Sequence, residues 1–71
     1  MANDVDYSLG RIKAYYPLKG YGFISREKGR DLFFHRRDAA DETSLVEGAP
    51  VRFNIEQTEK GPRAIEVARV G

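Results

Sequence analysis

Glycine and proline interrupt this chain so regularly that only short extended segments fit between them. Five such segments have strand-like composition, spanning residues 10–16, 21–26, 31–35, 51–57 and 64–70. Pro17 and Gly20 follow the first, Gly29 the second, Gly48 and Pro50 precede the fourth, and Gly61 and Pro62 precede the fifth. The only stretch with helical character, within residues 38–47, holds a turn or so and is too short to serve as a crossover helix. Sequential strands are therefore expected to pair antiparallel in an all-β fold.

Seventy-one residues form one domain at most, and a chain of this size buries only about 60% of the surface that its unfolded form exposes. With no cysteine and a single histidine, it has neither disulfides nor a thiolate metal site, so its apolar core must hold the fold alone. No run of about 18 apolar residues is present and the first ten residues lack an apolar segment, which points to a soluble cytoplasmic protein. Residues 1–9, with Asp4 and Asp6, read as a flexible tail ahead of a domain over residues 10–71.

Alternation assigns the faces. Val51, Phe53 and Ile55 share one side of the fourth segment, and Ile65 and Val67 one side of the fifth. With Ile12, Ile24, Leu32 and Phe34 these complete a core. Tyr21, Phe23, Phe33 and His35 are then surplus to it, because KGYGFI at 19–24 and LFFH at 32–35 carry apolar side chains on both faces. A five-strand sheet closed into a barrel has one interior, so the surplus rings are expected outside on neighbouring strands. Exposed clusters of this kind mark interaction surfaces. Gly20 and Gly22 flank Tyr21 and are expected to leave room beside its ring for a planar ligand, or alternatively to mark a bulge or barrel corner.

The net charge of +1 hides an asymmetry: residues 1–9 carry −2, residues 10–37 carry +6, and residues 38–71 carry −3. The positive segment is the one with the rings. Rings set among Lys13, Lys19, Arg26, Lys28, Arg30, Arg36 and Arg37 suit a polyanion with flat exposed faces, namely single-stranded RNA or DNA. A duplex conceals those faces.

At these residues the chain resembles the cold-shock domain family. KGYGFI is similar to that family's first RNP motif and LFFH to its second, in the same order and spacing, with GRIK at 10–13, EGAPVRF at 47–53 and KGPRA at 60–64 extending the similarity over nearly the whole chain. The resemblance implies a five-stranded antiparallel OB-fold barrel that binds single-stranded nucleic acid as an RNA chaperone, without catalysis or cofactor. It places Lys13, Tyr15, Lys19, Tyr21, Phe23, Asp31, Phe33, His35 and Lys60 on the binding face, and Arg36 is added as a cation that stacks its guanidinium on a base. The expected partner is single-stranded RNA or DNA bound by a monomer, with no membrane and no small-molecule substrate.

The chain departs from the family pattern where Ala14, Tyr16 and Arg36 stand in place of tryptophan, asparagine and phenylalanine, and residues 41–46 lack the family's loop aromatic. Tyr16 is a candidate replacement ring. Simple parity also puts Ala14 on the side of Ile12, whereas the family displays that position, so a bulge or a twist is implied. An RNA-recognition-motif domain does not fit, because it needs two helices. A small barrel that binds a protein through the ring patch stays open as an alternative. No serine lies in a nucleophile motif, and the glycines form neither a phosphate loop nor a dinucleotide fingerprint, so no enzyme is expected.

Overall fold

The computed structural model describes residues 7–71; of the tail expected over residues 1–9, residues 1–6 lie outside the described residues and Ser8 and Leu9 belong to the first strand. Five strands, β1 (Ser8–Tyr16), β2 (Tyr21–Ser25), β3 (Leu32–His35), β4 (Pro50–Thr58) and β5 (Gly61–Arg69), close into a barrel in the order β1-β2-β3-β5-β4. Strand β1 starts two residues before the expected boundary, because Ser8 and Leu9 already pair with Phe53 and Arg52. The hairpins and the β1–β4 pair are antiparallel, but the seam between β3 and β5 is parallel, with Phe33 opposite Arg63 and a further bridge between Ala39 and Val67. The pairing is thus mixed rather than wholly antiparallel. After β3 the chain passes through two 3₁₀ turns, η1 (Arg36–Asp38) and η2 (Glu42–Ser44), and the β4–β5 hairpin then brings β5 back beside β3 in the same direction. No helix of the described residues is long and apolar enough to cross a membrane.

Ile12, Ile24, Leu32, Phe34, Val51, Phe53 and Val67 fill the interior, as alternation requires, together with Leu45, Ala49 and Ala64. Two expected core residues do not belong there. Ile55 is 38% exposed, two residues beyond Phe53, the last β4 residue paired with β1 among the described residues. Ile65 yields its inward place to Ala64 because β5 bulges: Arg52 pairs with Ala68 and Asn54 with Ile65, leaving Phe53 opposite two residues. Glu66 takes the strained position of that bulge at φ 53°. Parity flips there, and Ala64 and Val67 both point inward.

A second bulge shapes the outer surface. Ile12 pairs with Ile24 and Ala14 with Phe23, so Lys13 is the extra residue of β1. Beyond it Ala14 and Tyr16 share the face of Phe23 and Tyr21, while Tyr15 shares that of Gly22. Of the bulge or twist expected for displaying position 14, the strand has the bulge.

Gly22 is buried and makes room inward, not beside the Tyr21 ring as expected. A Cβ there would collide with the Ala14 carbonyl and stand 2.9 Å from Phe34 Cζ. Gly20 supplies a positive φ of 77° in the β1–β2 turn and faces the Arg36 guanidinium.

Candidate nucleic-acid interface

Cross-strand register builds one face from three strands. Ala14 lies opposite Phe23 and Phe23 opposite Phe33; Tyr16 lies opposite Tyr21 and Tyr21 opposite His35. Because paired residues point the same way, the side chains form two rows across the outside of the barrel. None of Tyr21, Phe23, Phe33 and His35 is sealed inside; each is half-buried, its neighbours covering the ring edges. Phe33 and His35 meet at 4.9 Å between centroids, Tyr21 and Phe33 at 5.5 Å, Phe23 and Phe33 at 5.8 Å, and Tyr21 and Phe23 at 6.0 Å. Most of these contacts are edge to face, which holds the rings at fixed angles and prevents them from collapsing into one flat stack.

Tyr16 extends the cluster onto β1, 44% exposed and 5.4 Å from Tyr21. It is the candidate replacement ring read from the sequence, at a position where the family pattern has asparagine and so offers no platform to carry over. The signal was available: the bulge that displays Ala14 also displays Tyr16. Beside it in the turn, Leu18 is fully exposed.

On its β5 side the ring face opens into a groove of about 720 Å³, lined by Phe33, His35, Pro62, Arg63 and the turn residues 58–61, Lys60 among them. Arg63 is held from behind by Asp38 at 3.3 Å and Glu56 at 3.5 Å. Its charge is locally matched, whereas Lys60 has no ion pair among the described residues.

The remaining expected residues divide. Lys13 and Asp31 pair with each other at 2.6 Å, and the hydrogen bond and charge of Asp31 raise the Lys13 pKa above its usual value. Tyr15 is not on the ring face. It stacks over buried Phe34, centroids 6.1 Å apart and planes 13° from parallel, and its hydroxyl donates to Glu42 Oε2 at 2.7 Å. Partial burial, and then that hydrogen bond, push its pKa up. The expected stacking role of Arg36 meets a different geometry: Nε donates to the Tyr15 hydroxyl at 3.2 Å and Nη2 to the Pro17 carbonyl at 2.6 Å, with Glu42 Oε2 3.5 Å from Nε. The guanidinium is a clasp joining β1, the β1–β2 turn and η2. Lys19 lies in that turn, beside Gly20 and Arg36.

Such a surface can stack planar groups along the two rows and meet anions at its margins. The family model described as 'Cold-shock' DNA-binding domain matches residues 8–70. The chain is 41% identical over 64 residues to a retron Se72 cold shock-like protein of Salmonella heidelberg, covering 86% of this chain and 96% of that protein. It is 41% identical over 61 residues to the cold shock-like protein CspA of Vibrio cholerae, covering 82% and 87%. In fold it is similar to drosophila Unr CSD456, with a TM-score of 0.77 at 24% identity over 92% of this chain, which spans 27% of that one.

Proposed function

The chain belongs to the cold-shock DNA-binding domain family, and from that premise we propose that it binds single-stranded RNA or DNA by stacking bases on its outer rings, acting as an RNA chaperone. The observation that carries this reading is the row Tyr16–Tyr21–His35 across β1, β2 and β3, with Phe23 and Phe33 beside it, on the strands of the basic segment. Each stacked base contributes about 1–3 kcal/mol, and stacking is sequence-tolerant because every base has a π face. Tyr21, Phe23, Phe33 and His35 serve as platforms in this account, Tyr16 extends them, and Lys13, Lys19 and Lys60 supply charge. Asp31 acts through Lys13. Tyr15 acts indirectly, joining Arg36 in fixing the turn that carries Lys19. The reading includes a monomer at work in the cytoplasm, with no turnover, cofactor or small-molecule substrate.

Titration of the protein with a deoxythymidine heptamer, its RNA counterpart and a duplex tests it. Saturable binding of the single strands with little affinity for the duplex is expected; equal affinity for the duplex would contradict base stacking. A protein-binding role for the same face is the alternative, favoured by fully exposed Leu18 next to Tyr16. Absence of binding to every oligonucleotide would support it.

A further inference from the structure

Beyond His35 the ring face ends in a hollow of about 320 Å³ lined by Lys19, Gly20, His35, Arg36 and Arg37. No acidic side chain lines it. Elsewhere on this side of the barrel Lys13 is matched by Asp31 and Arg63 by Asp38 and Glu56, and Lys60 stands alone in the groove beyond Phe33, with no second cation free of an ion pair beside it among the described residues. Lys19 and Arg37 have no ion pair among the described residues. Asp38, the acid next in sequence to Arg37, accepts the His35 N–H at 2.9 Å and faces Arg63.

Arg36 differs from the other two cations in being fixed. Its Nε and Nη2 are held by Tyr15, Glu42 and Pro17, whereas Nη1 has no hydrogen bond among the described residues. The Arg36 N–H also donates to the Gly20 carbonyl at 2.8 Å, tying the end of β3 to the β1–β2 turn. A Cβ at Gly20 would stand 3.1 Å from Arg36 Nη2, so glycine is what lets the main chain pass so close to the guanidinium. A rigid planar donor with an exposed ammonium and a second guanidinium beside it matches the tetrahedral oxygens of a phosphate better than the flat face of a base.

The geometry points to this hollow as a phosphate subsite at one end of the ring face, resting on the nucleic-acid reading above. The phosphate is either an internal diester of the strand whose bases lie on the rings or the terminal monoester of a strand that ends there. Its contribution is electrostatic, so it appears in the salt dependence of binding, whereas removal of a ring leaves that dependence unchanged.

The test uses the full chain and a double variant, Lys19→Gln with Arg37→Gln, both exposed positions, with Arg36 left in place. Binding of a deoxythymidine heptamer is measured across a salt series, with each internal linkage in turn replaced by a neutral methylphosphonate, and with a phosphate added at either end. The expected result is an affinity reduced about three- to tenfold at low salt and a log-log slope shallower by about 0.7 for each phosphate that the variant no longer neutralises. One modified linkage, or one terminal phosphate, should alter wild-type affinity but not that of the variant; a linkage effect identifies a diester and a terminal effect a strand end. Phe33→Ala should weaken binding with the slope intact. Unchanged slope and unchanged sensitivity in the double variant would overturn the subsite while leaving the nucleic-acid reading in place. A wild-type protein that does not bind the heptamer would overturn both.

Discussion

Tyr16 meets Tyr21 edge to face across the β1–β2 ladder, ring centroids 5.4 Å apart and planes at 61°. The contact exists because Lys13 bulges out of β1 and turns Ala14 and Tyr16 to the outer face, where they line up with Phe23 and Tyr21. One backbone irregularity thus decides how many rings the surface displays.

Tyr16→Asn should weaken single-strand binding by about 1–3 kcal/mol, a factor of about 5 to 150, with little change in thermal stability. Ala14→Trp, which adds a ring opposite Phe23, should strengthen binding by a similar amount. Calorimetric titration of both variants checks the pair. Wild-type affinity in Tyr16→Asn would confine the platform to β2 and β3.

Much of this was legible in the sequence, and what was not had a common cause. Strand positions followed from glycine and proline spacing, and the surplus of rings at Tyr21, Phe23, Phe33 and His35 followed from alternation. Alternation fails wherever a strand gains a residue. Simple parity therefore puts Ala14 on the side of Ile12 in β1, across the extra residue Lys13, and reverses Ala64 and Ile65 in β5 before Glu66. Leu45 is buried from within a loop, held there by the 3₁₀ turn that Asp41 caps through Thr43, and no periodicity marks such a position. The Arg36 clasp joins residues 15, 17, 36 and 42, an arrangement that depends on barrel closure and not on local pattern.

The ion pair between Lys13 and Asp31 withholds a cation from the interface. Asp31→Asn should free the ammonium, tighten oligonucleotide binding at low salt by several-fold, and steepen the log-log salt slope by up to about 0.7. Weaker binding in this variant would instead give Asp31 a direct contact with the bases.

Stability should fall at alkaline pH. Lys13 and Tyr15 have folded pKa values raised above their ordinary 10.5 and 10.0. Their contributions are complete below those ordinary values and are lost as pH climbs through the raised ones. Asp41, whose pKa is lowered from 3.8 by hydrogen bonds from Thr43, works the other way, contributing above that value and losing its contribution as pH falls through the lowered one. Thermal melts of the wild type and Tyr15→Phe from neutral to strongly alkaline pH check the upper end. The variant should lose less stability over that range, and parallel losses would show that the Tyr15 hydroxyl has no such role.

Gly22→Ala should destabilise the barrel while leaving every displayed ring in the sequence. The added methyl meets the Ala14 carbonyl and the Phe34 ring, and overpacking of this kind costs about 1–3 kcal/mol. In a domain of this size each kcal/mol lowers Tm by about 4–8 °C. An unchanged melting temperature would mean that the wall between β1 and β2 yields more easily than the packing around Phe34 implies.

The most direct test of the outward ring face is amide chemical-shift mapping of the wild-type protein with a single-stranded deoxythymidine heptamer and, separately, with a duplex. The account predicts that the single strand shifts Tyr16, Tyr21, Phe23, Phe33, His35 and Lys60, and that the duplex leaves them nearly unmoved. Shifts confined to the opposite end of the barrel, around Gly10, Ser25 and Val70, or an equal response to the duplex, would contradict it.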